Sequence, residues 1–99
     1  MNISSSYGSR PNQGTIGYCM TKAGLEMLTK CTALELAPLG IRINAISPSV
    51  MDTNLYRYTG ISELEYTGFK KRAASCVPLQ RIGTVEEVAR AAIFLSSEQ

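Results

Sequence analysis

Apolar side chains recur along the chain at two spacings, and each spacing predicts a type of element. Leu25, Leu28, Thr32 and Leu36 fall three or four residues apart, the repeat of one helix face. Beside them runs a second stripe of Met20, Ala23, Met27, Cys31 and Leu34. Together they predict a long helix over about 18–37 with an unusually wide apolar side, broken by Pro38 and Gly40. Two explanations fit that width. The helix is buried on two sides within one complete domain, or one stripe covers a sheet and the other meets a partner subunit. Ile41–Ile46 instead alternates and is rich in β-branched residues, which predicts a strand ending at Pro48. Residues 1–5 read as the tail of a strand entering the turn Ser4-Ser5-Ser6. Residues 6–17, with three Gly and a Pro, read as a loop.

Strand, helix and strand in that order form a βαβ unit, so the two strands should run parallel. Downstream, Ser62 with Glu65 offers a capping box for a second helix over about 63–75. Thr84 with Glu87 offers another. There Val85, Val88, Ala89, Ala92 and Leu95 line one face of a third helix, and Glu86, Glu87 and Arg90 the other. No repeat or low-complexity tract interrupts the pattern.

Composition narrows the function classes. Ninety-nine residues at 44% hydrophobic content support one small domain. Ten Lys and Arg against eight Asp and Glu leave a net charge of +2. The one basic cluster, Lys70-Lys71-Arg72, reads as a solvated helix face rather than a phosphate-binding patch, so no nucleic-acid partner is expected. The three cysteines are widely spaced and the chain has no His, so no metal site is expected. Buried thiols in a reducing compartment are the expectation for Cys19, Cys31 and Cys76. No signal peptide and no membrane-length apolar run is visible. An intracellular, cytoplasmic protein without a membrane partner is expected.

In parallel α/β sheets, ligands gather beyond the carboxyl ends of the strands. That rule selects Ser4–Ser6, Tyr18 at the opening of the helix, and Ser47–Thr53. Tyr18 and Lys22 lie four residues apart on one helix face, and side chains there lean back toward the N-terminus. An ammonium beside a phenol favours the phenolate. Such a pair can exchange a proton with a carbonyl or alcohol oxygen. Ser5 can add a hydrogen bond to the same oxygen. A Tyr-x-x-x-Lys spacing alone is a weak signal, and the combination carries the weight.

The motifs then become recognisable. Asn2-Ile3-Ser4-Ser5, Tyr18-Cys19-Met20-Thr21-Lys22 and Gly40 through Pro48 closely resemble the short-chain dehydrogenase/reductase family, as does Pro78 through Ala89. The four matches are in order, cover nearly the whole chain, and keep Ser5 thirteen residues before Tyr18. The resemblance implies an α/β fold, a partial doubly wound parallel sheet forming the C-terminal part of a Rossmann-type NAD(P)-binding domain. It implies that Tyr18 is the catalytic acid/base, that Lys22 supports it and bonds the nicotinamide ribose, and that Ser5 polarises the substrate carbonyl. Pro48, Ser49, Val50 and Thr53 would line the cofactor pocket together with Tyr18 and Lys22. Asn44 would brace the loop.

The implied cofactor is NAD or NADP, the implied substrate a small carbonyl or alcohol, with a tilt toward 3-oxoacyl or small-carbonyl reduction. A homo-oligomer is implied for the complete enzyme. Residues 54–77, with Tyr56, Tyr58, Tyr66 and Phe69, match the family's variable lid; substrate contact and ordinary packing are equally open for those aromatics. One departure stands out. The family usually has Pro-Gly where this chain has Pro48-Ser49, and Ser restricts the close approach and positive φ that Gly allows.

The family's Gly-rich pyrophosphate turn has no counterpart in these residues. Residues 1–99 are therefore expected to be the C-terminal part of one such domain, without the nucleotide-binding half and the last strand. By itself such a piece is expected to be poorly soluble or molten and inactive, because its strands lack neighbours. The competing expectation is a non-catalytic product that at most associates with a full-length relative.

Overall fold

The computed structural model describes residues 1–98; Gln99 lies outside the described residues. The chain divides into two compact units, one formed by Met1–Ser49 and Arg90–Gln99, the other by Val50–Ala89.

The first unit contains the expected βαβ arrangement. Strand β1 (Asn2–Ile3) pairs in parallel with β2 (Ala45–Ile46), Asn2 opposite Ala45 and Ile3 opposite Ile46. The hydrogen bonding runs on past both strands. The amides of Asn2, Ser4 and Ser6 donate to the carbonyls of Asn44, Ile46 and Pro48 at 2.9, 2.7 and 2.9 Å. That evenly stepped ladder is the parallel pattern, and it carries Ser5 and Pro48 to the same edge. Between the strands runs helix α1 (Ile16–Leu36). It passes into a short 3-10 turn, Ala37–Leu39, and is closed by Gly40 at φ 71°, a left-handed conformation that glycine takes without strain.

The second unit contains a 3-10 segment (Leu55–Thr59) and helix α2 (Glu63–Ser75). Ser62 caps α2 through the Glu65 amide while the Glu65 carboxylate returns to the Ser62 amide, the reciprocal pair expected from the sequence. Helix α3 (Val85–Ser96) starts in this unit and continues into the first. Thr84 and Glu87 make the same reciprocal pair at its start, at 2.9 and 3.3 Å. At its end the Arg42 guanidinium donates to the carbonyls of Leu95 and Ser97 at 2.9 and 2.7 Å, satisfying groups the helix leaves open.

Several expectations need correction. The second strand is Ala45–Ile46 rather than Ile41–Ile46. Pairing with β1 is confined to Ala45 and Ile46, which face Asn2 and Ile3. Helix α1 begins at Ile16, so Tyr18 sits inside its first turn; Gly14, at φ 81°, turns the chain just ahead of it. Cys31 and Cys76 are exposed and Cys19 is half-buried, so the thiols are free but not interior. For Cys19 and Cys31 the reason is the sparse covering of α1, where Thr29 is the one buried residue; Cys76 sits at the C-terminal cap of α2. Of its two stripes, Leu25, Thr32 and Leu36 are half-buried, whereas Met20, Met27 and Leu34 are 58–78% exposed. A helix buried on two sides is not what forms.

Candidate active site

The end of β1 grips one turn of α1 through bonds from both partners. Lys22 Nζ donates to the Ile3 carbonyl at 2.9 Å, and Ser4 Oγ donates to the Lys22 carbonyl at 3.3 Å. Just beyond, Gly8 lies against the same turn: a Cβ there would stand 3.1 Å from the Lys22 carbonyl and still closer to the Glu26 carboxylate. A larger residue there would have to displace the Glu26 carboxylate and press on the Lys22 carbonyl.

Ser5 lies between these contacts and is 7% exposed. Its Oγ accepts the Tyr7 amide at 3.2 Å. A hydroxyl has one hydrogen to donate, and among the described residues nothing accepts the one on Ser5. Tyr18 is 40% exposed, and its hydroxyl likewise has no hydrogen-bond partner among the described residues. Lys22 Nζ stands 5.6 Å from the Tyr18 ring centroid, the reach expected of residues four apart on a helix. Two hydroxyls with hydrogens to give, and one ammonium, therefore belong to the carboxyl end of the parallel pair.

The sequence reasoning passed over Glu26. Its Oε1 accepts from Ser47 Oγ at 3.2 Å and shares with the Lys22 carbonyl the one hydrogen of Ser4 Oγ, also at 3.2 Å, so one carboxylate ties the ends of both strands to α1. The available signal was its position one turn beyond Lys22, on the face that Tyr18 and Lys22 already marked. Pro48 contributes its carbonyl to the Ser6 amide, and Ser49 is exposed. Among the described residues the non-glycine at positive φ is Gln80, not Ser49, so the backbone at the family's usual glycine does not require one here.

Val50 and Thr53 lie in the second unit. The Val50 carbonyl accepts the Gly83 amide at 3.3 Å. Thr53 is held by Tyr66, whose hydroxyl accepts the Thr53 amide at 3.3 Å and lies 3.0 Å from the Thr53 carbonyl and 2.7 Å from Asp52 Oδ1. Thr53 Oγ1 accepts the Leu55 amide at 3.2 Å. Tyr66 is 1% exposed, with Tyr56 and Phe69 packed beside it at centroid separations of 5.9 and 6.5 Å. Tyr58 stands apart from them, 87% exposed. Three of the four lid aromatics thus form a packed cluster.

The strongest electrostatic perturbations lie in this unit. The hydrogen bond from Tyr66 holds the Asp52 carboxyl below its ordinary range, with help from the Lys70 ammonium. Burial pushes the Tyr66 hydroxyl upward, and the bond to Asp52 adds to it. Glu87 is lowered to about 2, chiefly by its paired bonds with Arg81 at 2.6 and 3.0 Å and also by the Thr84 amide.

Among the described residues no group of three or more His, Cys, Asp or Glu could hold a metal ion, and no helix is long and apolar enough to cross a membrane. The whole chain, residues 1–99, matches the family model described as Enoyl-(Acyl carrier protein) reductase. It is 41% identical over its full length to a 3-oxoacyl-(acyl-carrier-protein) reductase FabG of Buchnera aphidicola, covering 38% of that protein. A solved short-chain dehydrogenase/reductase of unknown function from Caenorhabditis elegans, with cofactor, superposes with a TM-score of 0.90 at 31% identity, over 96% of this chain and 36% of that one. An NADPH-bound short-chain oxidoreductase from Pseudomonas aeruginosa gives 0.82 at 28% identity, over 97% and 37%. The chain spans between a third and two fifths of the length of these relatives. With the βαβ unit, the ordered motifs and these matches in agreement, the chain belongs to the short-chain dehydrogenase/reductase family.

Proposed function

We propose that this chain supplies the catalytic residues of an NAD(P)-dependent carbonyl–alcohol oxidoreductase, working within a longer polypeptide that brings the nucleotide-binding part. The carrying observation is the pair of hydroxyls, Ser5 and Tyr18, each with a hydrogen to donate, beside Lys22 at the carboxyl end of the parallel strands. A nicotinamide dinucleotide, when bound, supplies or accepts the hydride. Each unit by itself offers groups that fit the nicotinamide end: in the first the ammonium of Lys22 lies beside the Tyr18 ring, and in the second Thr53 Oγ1 accepts from Leu55 and keeps its hydrogen for a ligand. The pyrophosphate end has no Gly-rich cradle among these residues.

In the reducing direction Ser5 donates to the substrate carbonyl and polarises it. Tyr18 then delivers its phenolic proton to that oxygen, and the Lys22 ammonium stabilises the phenolate left behind. The similarity to FabG proteins supports a 3-oxoacyl or small-carbonyl substrate. The exposed stripe of Met20, Met27 and Leu34 supports association with a second copy or a full-length relative.

The test grafts these 99 residues in place of the matching part of a FabG relative and follows oxidation of the reduced cofactor with a 3-oxoacyl thioester. Turnover is expected, with Tyr18→Phe lowering kcat by about 100-fold or more while cofactor affinity stays. Turnover unchanged in that variant removes Tyr18 from the mechanism.

A further inference from the structure

We infer that Tyr66 is a positioning residue for the cofactor contact at Thr53: its hydroxyl locks the Thr53 backbone to helix α2, leaving the Thr53 hydroxyl hydrogen as the one donor that residue offers a ligand. The inference rests on Thr53 being that contact, as proposed above.

The geometry assigns every polar group of Thr53. Its amide donates to Tyr66 Oη at 3.3 Å, and its carbonyl lies 3.0 Å from the same oxygen. Its Oγ1 accepts the Leu55 amide at 3.2 Å. What remains is the hydroxyl hydrogen, on an oxygen whose place is set by the Leu55 amide and by the backbone that Tyr66 holds. Tyr66 itself has little freedom. It is 1% exposed, flanked by Tyr56 and Phe69, with Lys70 Nζ 4.7 Å above its ring. Its proton is shared between Asp52 Oδ1 at 2.7 Å and the Thr53 carbonyl. A phenylalanine would fill this volume equally well, so packing alone does not call for the hydroxyl.

The consequence is a mechanical link. Helix α2 belongs to the variable, lid-like part of the family, and Thr53 to the cofactor side. A rotation of α2 that withdraws Tyr66 releases the Thr53 amide and carbonyl together. Donor geometry at Thr53 thus depends on where α2 holds Tyr66, while α2 does not depend on Thr53.

The experiment takes these residues grafted into a FabG relative, as above, isotopically labelled, and compares that protein with its Tyr66→Phe variant by amide exchange and by the Thr53 methyl resonance. The charged groups around Tyr66 are Asp52, Arg57 and Lys70. Thr53 amide exchange should be about tenfold faster in the variant, the effect of one lost hydrogen bond, with α2 amides unchanged. Its methyl shift should follow Tyr66 ionisation above pH 10 in the native chain and stay flat in the variant. Equal exchange at Thr53 in both proteins overturns the inference. So does loss of α2 protection together with Thr53, which would make Tyr66 a packing residue only. Titration with nicotinamide mononucleotide separates the underlying reading. If Thr53 fails to respond while its exchange still depends on Tyr66, the cofactor assignment falls and the anchoring stands.

Discussion

The two units solve the same problem with different materials. In Met1–Ser49 with the end of α3, the buried residues are polar: Ser4, Ser5 and Thr29. A parallel ladder and side-chain hydroxyls hold them in place. In Val50–Ala89 the buried residue is an aromatic, Tyr66, ringed by Tyr56 and Phe69. The ion pairs Arg57–Glu63, Lys70–Asp52 and Arg81–Glu87 all lie in this second unit. The first unit buries hydroxyls and lets its apolar helix faces lie open. The second concentrates its burial on one side chain and depends on charge around it. Local stability should therefore fail differently in each, by lost hydrogen bonds in one and by a lost ring or a changed pH in the other.

Removing the ring is the most severe change. Tyr66→Ala should cost about 3–5 kcal/mol, the usual range for a buried aromatic, and a unit with no other fully buried large side chain among the described residues cannot absorb it. Amide exchange through α2 and residues 50–54 is expected to lose its protection. Retained protection there would mean the ring is not what holds this unit.

The matching change in the first unit is smaller. Thr29 Oγ1 accepts from Asn2 Nδ2 at 2.9 Å and donates to the Leu25 carbonyl at 2.8 Å. Thr29→Val keeps the shape and strands the Asn2 amide group, at a cost of about 1–3 kcal/mol. Faster exchange of the Ser4 and Asn2 amides is expected, with α1 intact. An effect as large as that of Tyr66→Ala would erase the contrast between the units.

That contrast also explains what the sequence could reveal. Motif order and helical spacing located the βαβ unit and both capping boxes, because these depend on residues close together in the chain or fixed by strand ends; the same spacing singled out Ser5, Tyr18 and Lys22 as candidates. The Glu26 bridge to Ser4 and Ser47 spans about twenty residues on either side, and no local pattern announces it. The hydroxyl of Tyr66 reaching back to Asp52 and Thr53 is of the same kind. Strand length was misread because alternation at Ile41–Ile43 describes a capacity to pair, and pairing also needs a partner in register. Cys19 and Cys31 lie outside any core because their apolar neighbours on α1 are themselves uncovered, and Cys76 because it ends a helix at the surface.

The smallest expected effect is the pH response of the second unit at Glu87. Its carboxyl is lowered from 4.5 to about 2 by Arg81 and the Thr84 amide. A depressed folded-state value means the carboxylate stabilises the unit fully above the ordinary range. That contribution fades as pH falls from about 4.5 toward about 2. The Arg81 and Glu87 side chains are 52% and 37% exposed, so solvent and salt screen the pair and the loss should be modest. The Thr84 and Glu87 amide shifts should move through that window together, as the two halves of one cap. In Arg81→Met the midpoint should rise toward the ordinary carboxylate value, since the larger cause is gone, yet stay below it because the Thr84 amide still donates. A midpoint unmoved by the substitution would assign the depression to the helix cap and leave Arg81 a bystander.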